Sequence, residues 1–280
     1  MRVLLSTLPC ECQPDEGRVV HPLQAVAVVV AGVLAGMINT VVGSGTLITF
    51  PVLLAVGYPP LTANVSNGLG LVPGSLFGAI GYRKELAGQG ARVRKLGVAS
   101  LIGAVIGAVL LLVLPADAFN AVVPVLIGIA LVLVVLQPWL ARKLAARRAE
   151  QAKANGGAAV APQDSWLMWL GVLATGIYGG YFGAAQGVLL LGLMGILLAE
   201  SLQRVNAIKN VLAMLANLAS GIVFVFIAHV AWLVVLLIAV GSGIGGVFGA
   251  RVGRAMPPVV LRGLIVVIGL VAMAKLLFFS

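Results

Sequence analysis

Apolar residues run through this chain in long stretches, at roughly 24–42, 45–57, 62–82, 96–114, 119–139, 166–182, 187–199, 206–228, 232–250 and 259–279, with a polar segment at 141–165 between the fifth and the sixth. Most approach the roughly 20 residues that a helix needs to cross a bilayer. They lack the apolar-out, polar-in alternation of barrel strands. Spanning helices are then the remaining way to satisfy each backbone N–H and C=O in hydrocarbon. The pattern predicts an all-α polytopic membrane protein. Two stretches, 45–57 and 187–199, are short, at 13 residues each, and hold matching places in the two halves.

The halves echo each other residue by residue. Gly36 and Gly43 reappear 140 positions on as Gly176 and Gly183, Asn67 and Gly78 reappear 143 on as Asn210 and Gly221, and Gly103, Gly107 and Pro115 reappear 142 on as Gly245, Gly249 and Pro257. Ordered agreement over the whole length predicts two homologous halves of four to five helices each, every half with a broken helix and a short helix. The expected organisation is a polar tail at 1–23, a transmembrane repeat at 24–140, a basic cytoplasmic linker at 141–165, whose first part can form a surface helix, and a second transmembrane repeat at 166–280. If each short segment makes its own pass, the halves are inverted; if it completes the preceding helix, they run parallel. Duplicated halves with short, glycine-interrupted segments point to a transporter site near the midplane.

Charge bears on the choice. Ten of the eighteen Lys and Arg fall in two loops, Arg83 to Lys95 and Arg142 to Lys153. The inverted version places both loops inside, together with Arg204, Arg251, Arg254 and Arg262, as the positive-inside rule favours. The net charge of +10 is therefore read as orientation and anionic-lipid contact rather than nucleic-acid binding. With 61% apolar and 9% charged residues the chain is far from the soluble range of about 45–50% and roughly 25%. Cys10 and Cys12 sit in the tail, one residue apart, a poor spacing for a disulfide and too few thiols for zinc. The tail has no apolar core of its own, and the run from Leu23 reads as a retained helix rather than a cleaved signal.

Polar groups interrupt the apolar pattern most sharply in "GMINTVVGSGTLITFP", residues 36–51. Irregular backbone survives at membrane depth only where protein covers it or it lines a wet cavity. Gly43 and Gly45 permit a reversal, and Ser44 or Thr46 is placed to cap the short helix that follows. A helix N-terminus offers free N–H groups and about half a positive charge, a natural anion site. The second half repeats the device with Gly183, Gln186 and Gly187. The next segment of each half adds amides: Asn64 and Asn67 in the first, Asn206 and Asn210 in the second, with Asn39 ahead of the first break. Lys209 is one of few cations inside an apolar run, to be read either as a ligand of the cavity or as a side chain snorkelling to the interface. No Asp or Glu lies inside any run. Amides, hydroxyls, helix N-termini and a cation suit a small oxyanion better than a cation. The recurrent Gly241, Gly245, Gly249 and Gly253, like Gly103 and Gly107, read as small faces for close helix packing. No HExxH, GxSxG or buried acid pair is present, so neither enzyme chemistry nor a metal or other cofactor is expected.

Residues 31–86 resemble the sulfite exporter TauE/SafE family of membrane permeases. The likeness lies in the Gly43-Ser44-Gly45 break after Gly36, Pro51 in the short helix, the Gly57-Tyr58-Pro59-Pro60 turn, and the stretch from Ala63 and Asn67 through Gly74 and Gly78 to Tyr82-Arg83. The second half is similar in layout, with "GIYGGYFGAAQG" and "IKNVLAMLANLASG". Family members often carry consecutive glycines at the first break, where this chain has "GSGT". The resemblance implies a permease of the bacterial inner membrane for small anions such as sulfite, sulfoacetate and other organosulfonates, with coupling to the proton gradient. The partners expected are an anionic solute, membrane lipid and, as an open alternative, further copies of the chain. An anion pore, or a permease for another small carboxylate or sulfur metabolite, is the competing reading.

Overall fold

A computed structural model describes residues 21–154 and 166–252 apart from residue 199, together with 263, 266, 267 and 270. The expectations for most of the tail, for Cys10 and Cys12, for the second part of the linker, and for Gly253, Arg254, Pro257, Arg262 and most of the last apolar run fall outside them. The described chain forms α1 (Pro22–Val41), α2 (Thr46–Val56), α3 (Pro60–Gly70), α4 (Val72–Gly81), α5 (Gly90–Val113), α6 (Ala116–Ala154), α7 (Trp166–Tyr181), α8 (Gln186–Leu197), α9 (Leu202–Ile227) and α10 (Trp232–Val252). Among the described residues α1, α5, α9 and α10 are long and apolar enough to cross a membrane.

Two boundaries differ from the sequence reading. The single stretch at 62–82 is divided at Leu71 into α3 and α4. Pro73 at the second position of α4 lacks the N–H that would continue the ladder. The basic segment after residue 140 is no separate helix, because α6 continues through it to Ala154. Lys143 there lies 4.7 Å over the ring of Trp139.

Side-chain size decides which face turns inward. On α10 the large residues Leu233, Leu236, Val240, Ile244 and Phe248 are exposed and form a stripe at helical spacing. The opposite face carries Gly241, Ser242, Gly245 and Gly249 and packs on α1 at near backbone contact. Large apolar groups outside and small residues at the helix seams suit lipid as the surroundings.

The seams show that the halves exchange helices. α1 packs on α10, with Val29 against Gly241, Val33 against Gly245 and Met37 against Gly249, so the two run in the same direction. α7 packs on α5 in the same way, with Leu173 against Gly103 and Ile177 against Gly107. The two contacts match in detail. A Cβ on Gly245 would meet Val33 O and sit 2.9 Å from Met37 N, and one on Gly103 would meet Leu173 O and sit 2.9 Å from Ile177 N. α4 also runs alongside α10, through Gly74 against Ser242 and Gly81 against Ala250. α5 and α9 run together, through Arg92 with Glu200 and Ser100 with Leu212. One set of helices, α1, α3–α4 and α10, is therefore opposed to another, α5, α7 and α9.

Basic residues gather at one end. Arg83, Lys84 and Arg251 line a cavity of about 340 Å³ between α4 and α10, and Glu200 bridges Arg92 at 3.0 Å and Arg204 at 2.7 Å.

Candidate functional site

Both breaks lie in the protein interior and touch. Gly43 adopts φ +89° and Gly183 φ +74°, left-handed conformations that glycine takes without Cβ strain. Ala185, also left-handed at φ 59°, completes the second turn and stands immediately ahead of α8. Gly187 N–H donates to Gly43 O at 3.0 Å. A Cβ on Gly43 would lie 2.7 Å from the carbonyl carbon of Gly187 and 3.2 Å from Val188 N. The crossing is thus backbone on backbone.

Around it four helix ends converge: the C-termini of α1 and α7 and the N-termini of α2 and α8. Helix C-termini leave carbonyls unpaired and carry partial negative charge. Those of α1 are met from α9. Lys209 Nζ donates to Asn39 O at 2.7 Å and to Thr40 O at 3.2 Å, and the amides of Asn206 and Asn210 donate to Thr40 O at 3.1 and 3.4 Å. The end of α7 is met from α3, where Asn64 Nδ2 donates to Tyr181 O at 3.0 Å. So the third segment of each half caps the first helix of the other half. Lys209 is 0% exposed, which removes the snorkelling alternative.

The N-termini are arranged differently. No side chain caps α2, contrary to the expectation for Ser44 or Thr46. The reversal is completed at Gly43, so Gly45, the residue ahead of α2, is already helical at φ −59°, ψ −37°. Ser44 and Gly45 offer their carbonyls to the N–H groups of Leu47 and Ile48. Ser44 Oγ is buried without a hydrogen-bond partner. Thr46 Oγ1 accepts from Asn67 Nδ2 at 3.2 Å, and the Thr49 hydroxyl donates to Asn67 Oδ1, so Asn67 ties α3 to α2. Gln186 opens α8, its amide lying over Gly179, where a Cβ would come within 2.6 Å of Oε1. Gln186 Nε2, Asn206 Oδ1 and Asn210 Oδ1 are also buried without partners. Asn39 Nδ2 donates to Ser75 Oγ at 2.9 Å and faces α4.

On one flank the crossing is sealed by aromatic rings. Phe50 of α2 and Phe182 of the second break meet edge to face at 5.3 Å, and Phe119 of α6 stands 6.3 Å from Phe182. All three are buried.

The model of the sulfite exporter TauE/SafE family matches residues 28–276. The chain belongs to that family. Among curated proteins it is 27% identical over 266 residues to the "Probable membrane transporter protein YfcA" of Escherichia coli K12, covering 93% of this chain and 92% of that one. It is 27% identical over 249 residues to "Probable membrane transporter protein ORF9" of a Sinorhizobium species, covering 89% and 90%, and 24% identical over 250 residues to a "Probable membrane transporter protein" of Haemophilus influenzae, covering 88% and 92%. No solved structure matches. This TauE/SafE protein is accordingly a multi-pass membrane transporter.

Of the residues singled out from the sequence, Gly43, Ser44, Gly45, Gln186, Gly187, Asn206, Lys209 and Asn210 come together at the crossing. Gly183 shapes it, Thr46 and Asn67 brace its α2 side, Asn64 braces the α7 end, and Asn39 contributes its carbonyl rather than its amide. Thr40 was not singled out, yet its carbonyl is the acceptor shared by three side chains of α9. Its side chain gives no sign of this, since Thr40 Oγ1 donates locally to Gly36 O at 2.9 Å.

Proposed function

We propose that this transporter moves a small oxyanion, of the sulfite or organosulfonate kind, by alternating access at the crossing of the two breaks, in the inner membrane of a bacterium. The observation that carries the reading is the pair Ser44 Oγ and Gln186 Nε2. Both are donors, both are buried without a protein partner, and each adjoins the N-terminus of a short helix. A buried donor left unsatisfied costs about 1–3 kcal/mol, so a group that accepts from it is favoured there. The helix N-termini favour a negative charge at the same place. α2, α8 and α9 carry no Asp or Glu that would repel it. The exchanged helices support treating the halves as inverted repeats. α1 and α7 run in opposite directions, and Arg251 stands at the same end as Arg83 and Lys84. Rocking one opposed set of helices against the other then opens the crossing to either side in turn.

Uptake of labelled sulfite or methanesulfonate into proteoliposomes tests this. Saturable flux accelerated by the same anion on the far side is expected; flux that never saturates marks a pore, and no flux of any small anion by folded protein removes the reading. Ser44→Ala sharpens the test. The substitution deletes a hydroxyl that no protein group uses, so the thermal stability of the empty protein is expected to hold or rise. Anion affinity is expected to fall about tenfold, the loss of one hydrogen bond to a charged group. Equal loss of stability and affinity would mean that Ser44 is a packing residue.

A further inference from the structure

We propose that Lys209 takes up a proton when the anion binds and releases it when the anion leaves, so that anion and proton cross the membrane together. This deepens the anion-site reading and rests on it.

Lys209 is placed for the task by geometry. Its terminal nitrogen is wholly buried on Asn39 O and Thr40 O, at the end of α1 that leads into the first break. Its stem passes the crossing itself, where a Cβ on Gly187 would lie 3.0 Å from Lys209 Cδ. The group therefore touches the end of α1 directly and the crossing through its stem.

Among the described residues no carboxylate pairs with it. Among the described helices α1, α3, α4, α5, α7 and α8 pack on α9, and α10 joins the cluster of Ala207 through Ala250, next to Arg251. Of these, α1, α3, α4 and α8 contain no titratable side chain, α5 contributes Arg92, Arg94 and Lys95, and α7 contributes Tyr178 and Tyr181. Tyr82, just beyond α4, clusters with Ala207, and on α9 itself Arg204 pairs with Glu200, which also holds Arg92. The remaining compensation is the α1 C-terminus, equivalent to about half a negative charge.

An ammonium that lacks a full counter-charge in a low-dielectric interior is costly. The cost is removed in two ways: an anion arrives beside the ammonium, or the proton departs. The amine keeps two N–H donors for Asn39 O and Thr40 O after the proton leaves. The loaded site then pairs anion with ammonium, the empty site holds a neutral amine, and both cross without a net buried charge. The balance is simple: on loading, a proton from water adds to the Lys209 lone pair; on unloading, it returns to water on the other side.

Methanesulfonate is the probe, because it does not itself titrate near neutral pH. Purified wild-type protein in weak buffer with a pH indicator is mixed with it, gluconate serving as control. Proton uptake is expected on binding, approaching about one per anion at the alkaline end of the range, as linkage requires when binding favours the protonated form. Lys209→Arg keeps the charge and cannot release it, so whatever methanesulfonate it binds should bring no proton uptake. In proteoliposomes wild-type protein should accumulate methanesulfonate under a pH gradient, and the same variant should lose about tenfold or more of that accumulation. Wild-type protein that binds methanesulfonate with no proton uptake at any pH between about 6 and 9 overturns the proposal, whatever the variant does. Wild-type protein that binds and carries no small anion overturns the anion-site reading, and the proposal with it.

Discussion

Proteoliposomes carrying Gly43→Ala are expected to show no anion flux above protein-free vesicles, and the purified variant to be markedly less stable than the parent. Two costs add at this position. The backbone stands at φ +89°, where an L side chain costs roughly 1–2 kcal/mol. The new Cβ would also lie 2.7 Å from the carbonyl carbon of Gly187, and neither backbone can turn aside as a flexible side chain would. Overpacking of this kind typically costs about 1–3 kcal/mol, so a total near 3 kcal/mol is expected. Relief comes only from parting the two breaks, which lengthens the 3.0 Å bond from Gly187 N–H to Gly43 O. Gly187→Ala should resemble it, because its Cβ would approach Gly43 O at 2.9 Å and Lys209 Cδ at 3.0 Å. Gly68→Ala is the control. It lies in α3 with open space around the added methyl, and alanine there should add up to about 1 kcal/mol of stability with flux intact. Normal transport by Gly43→Ala would overturn the proposal that the crossing is the transport site.

How much of this could be read from the sequence depended on whether a feature was local. The spanning helices were legible, because a bilayer imposes length and apolarity on each of them separately. So were the two breaks, since Gly43 and Gly183 interrupt apolar runs at matching positions and both adopt left-handed backbone. The split at Leu71 was within reach, as Pro73 marks it, but continuous apolarity masked it. Partner choice was not legible. The stripe of Gly241, Gly245 and Gly249 announces a close neighbour without saying that the neighbour is α1, because any helix with a complementary face would satisfy the same pattern. The role of Lys209 was hidden for the same reason. Its place on α9 is local, but the unpaired carbonyls it meets belong to a helix 170 residues away. Ser44 shows the opposite failure. Its sequence suits a helix cap, yet the early turn at Gly43 draws Gly45 into the helical conformation and leaves the hydroxyl free.

Cutting the chain between residues 155 and 165 should give two pieces that are unstable apart and functional together. If each repeat were a self-contained bundle, either piece would fold alone, as the matching sequences would suggest. The seams argue otherwise. α1 finds its glycine face on α10 and α7 finds its own on α5, so each piece expressed alone exposes both a helix that lacks its partner and a groove that lacks its helix. The caps are exchanged too. Without α9 the carbonyls of Asn39 and Thr40 lose Lys209, Asn206 and Asn210, and without α3 the carbonyl of Tyr181 loses Asn64. In hydrocarbon an unsatisfied backbone group costs several kcal/mol, and no water is at hand to replace the lost donors. Separate expression is therefore expected to yield little folded material of either piece, whereas co-expression should give a complex that purifies through a tag on one piece and regains flux in proteoliposomes. The linker itself should matter little, since the contacts that join the halves lie between helices. A piece that is stable, monodisperse and folded by itself would show that α1 and α7 can pack within their own halves, and the opposed sets of helices on which the proposed alternating access depends would have to be redrawn.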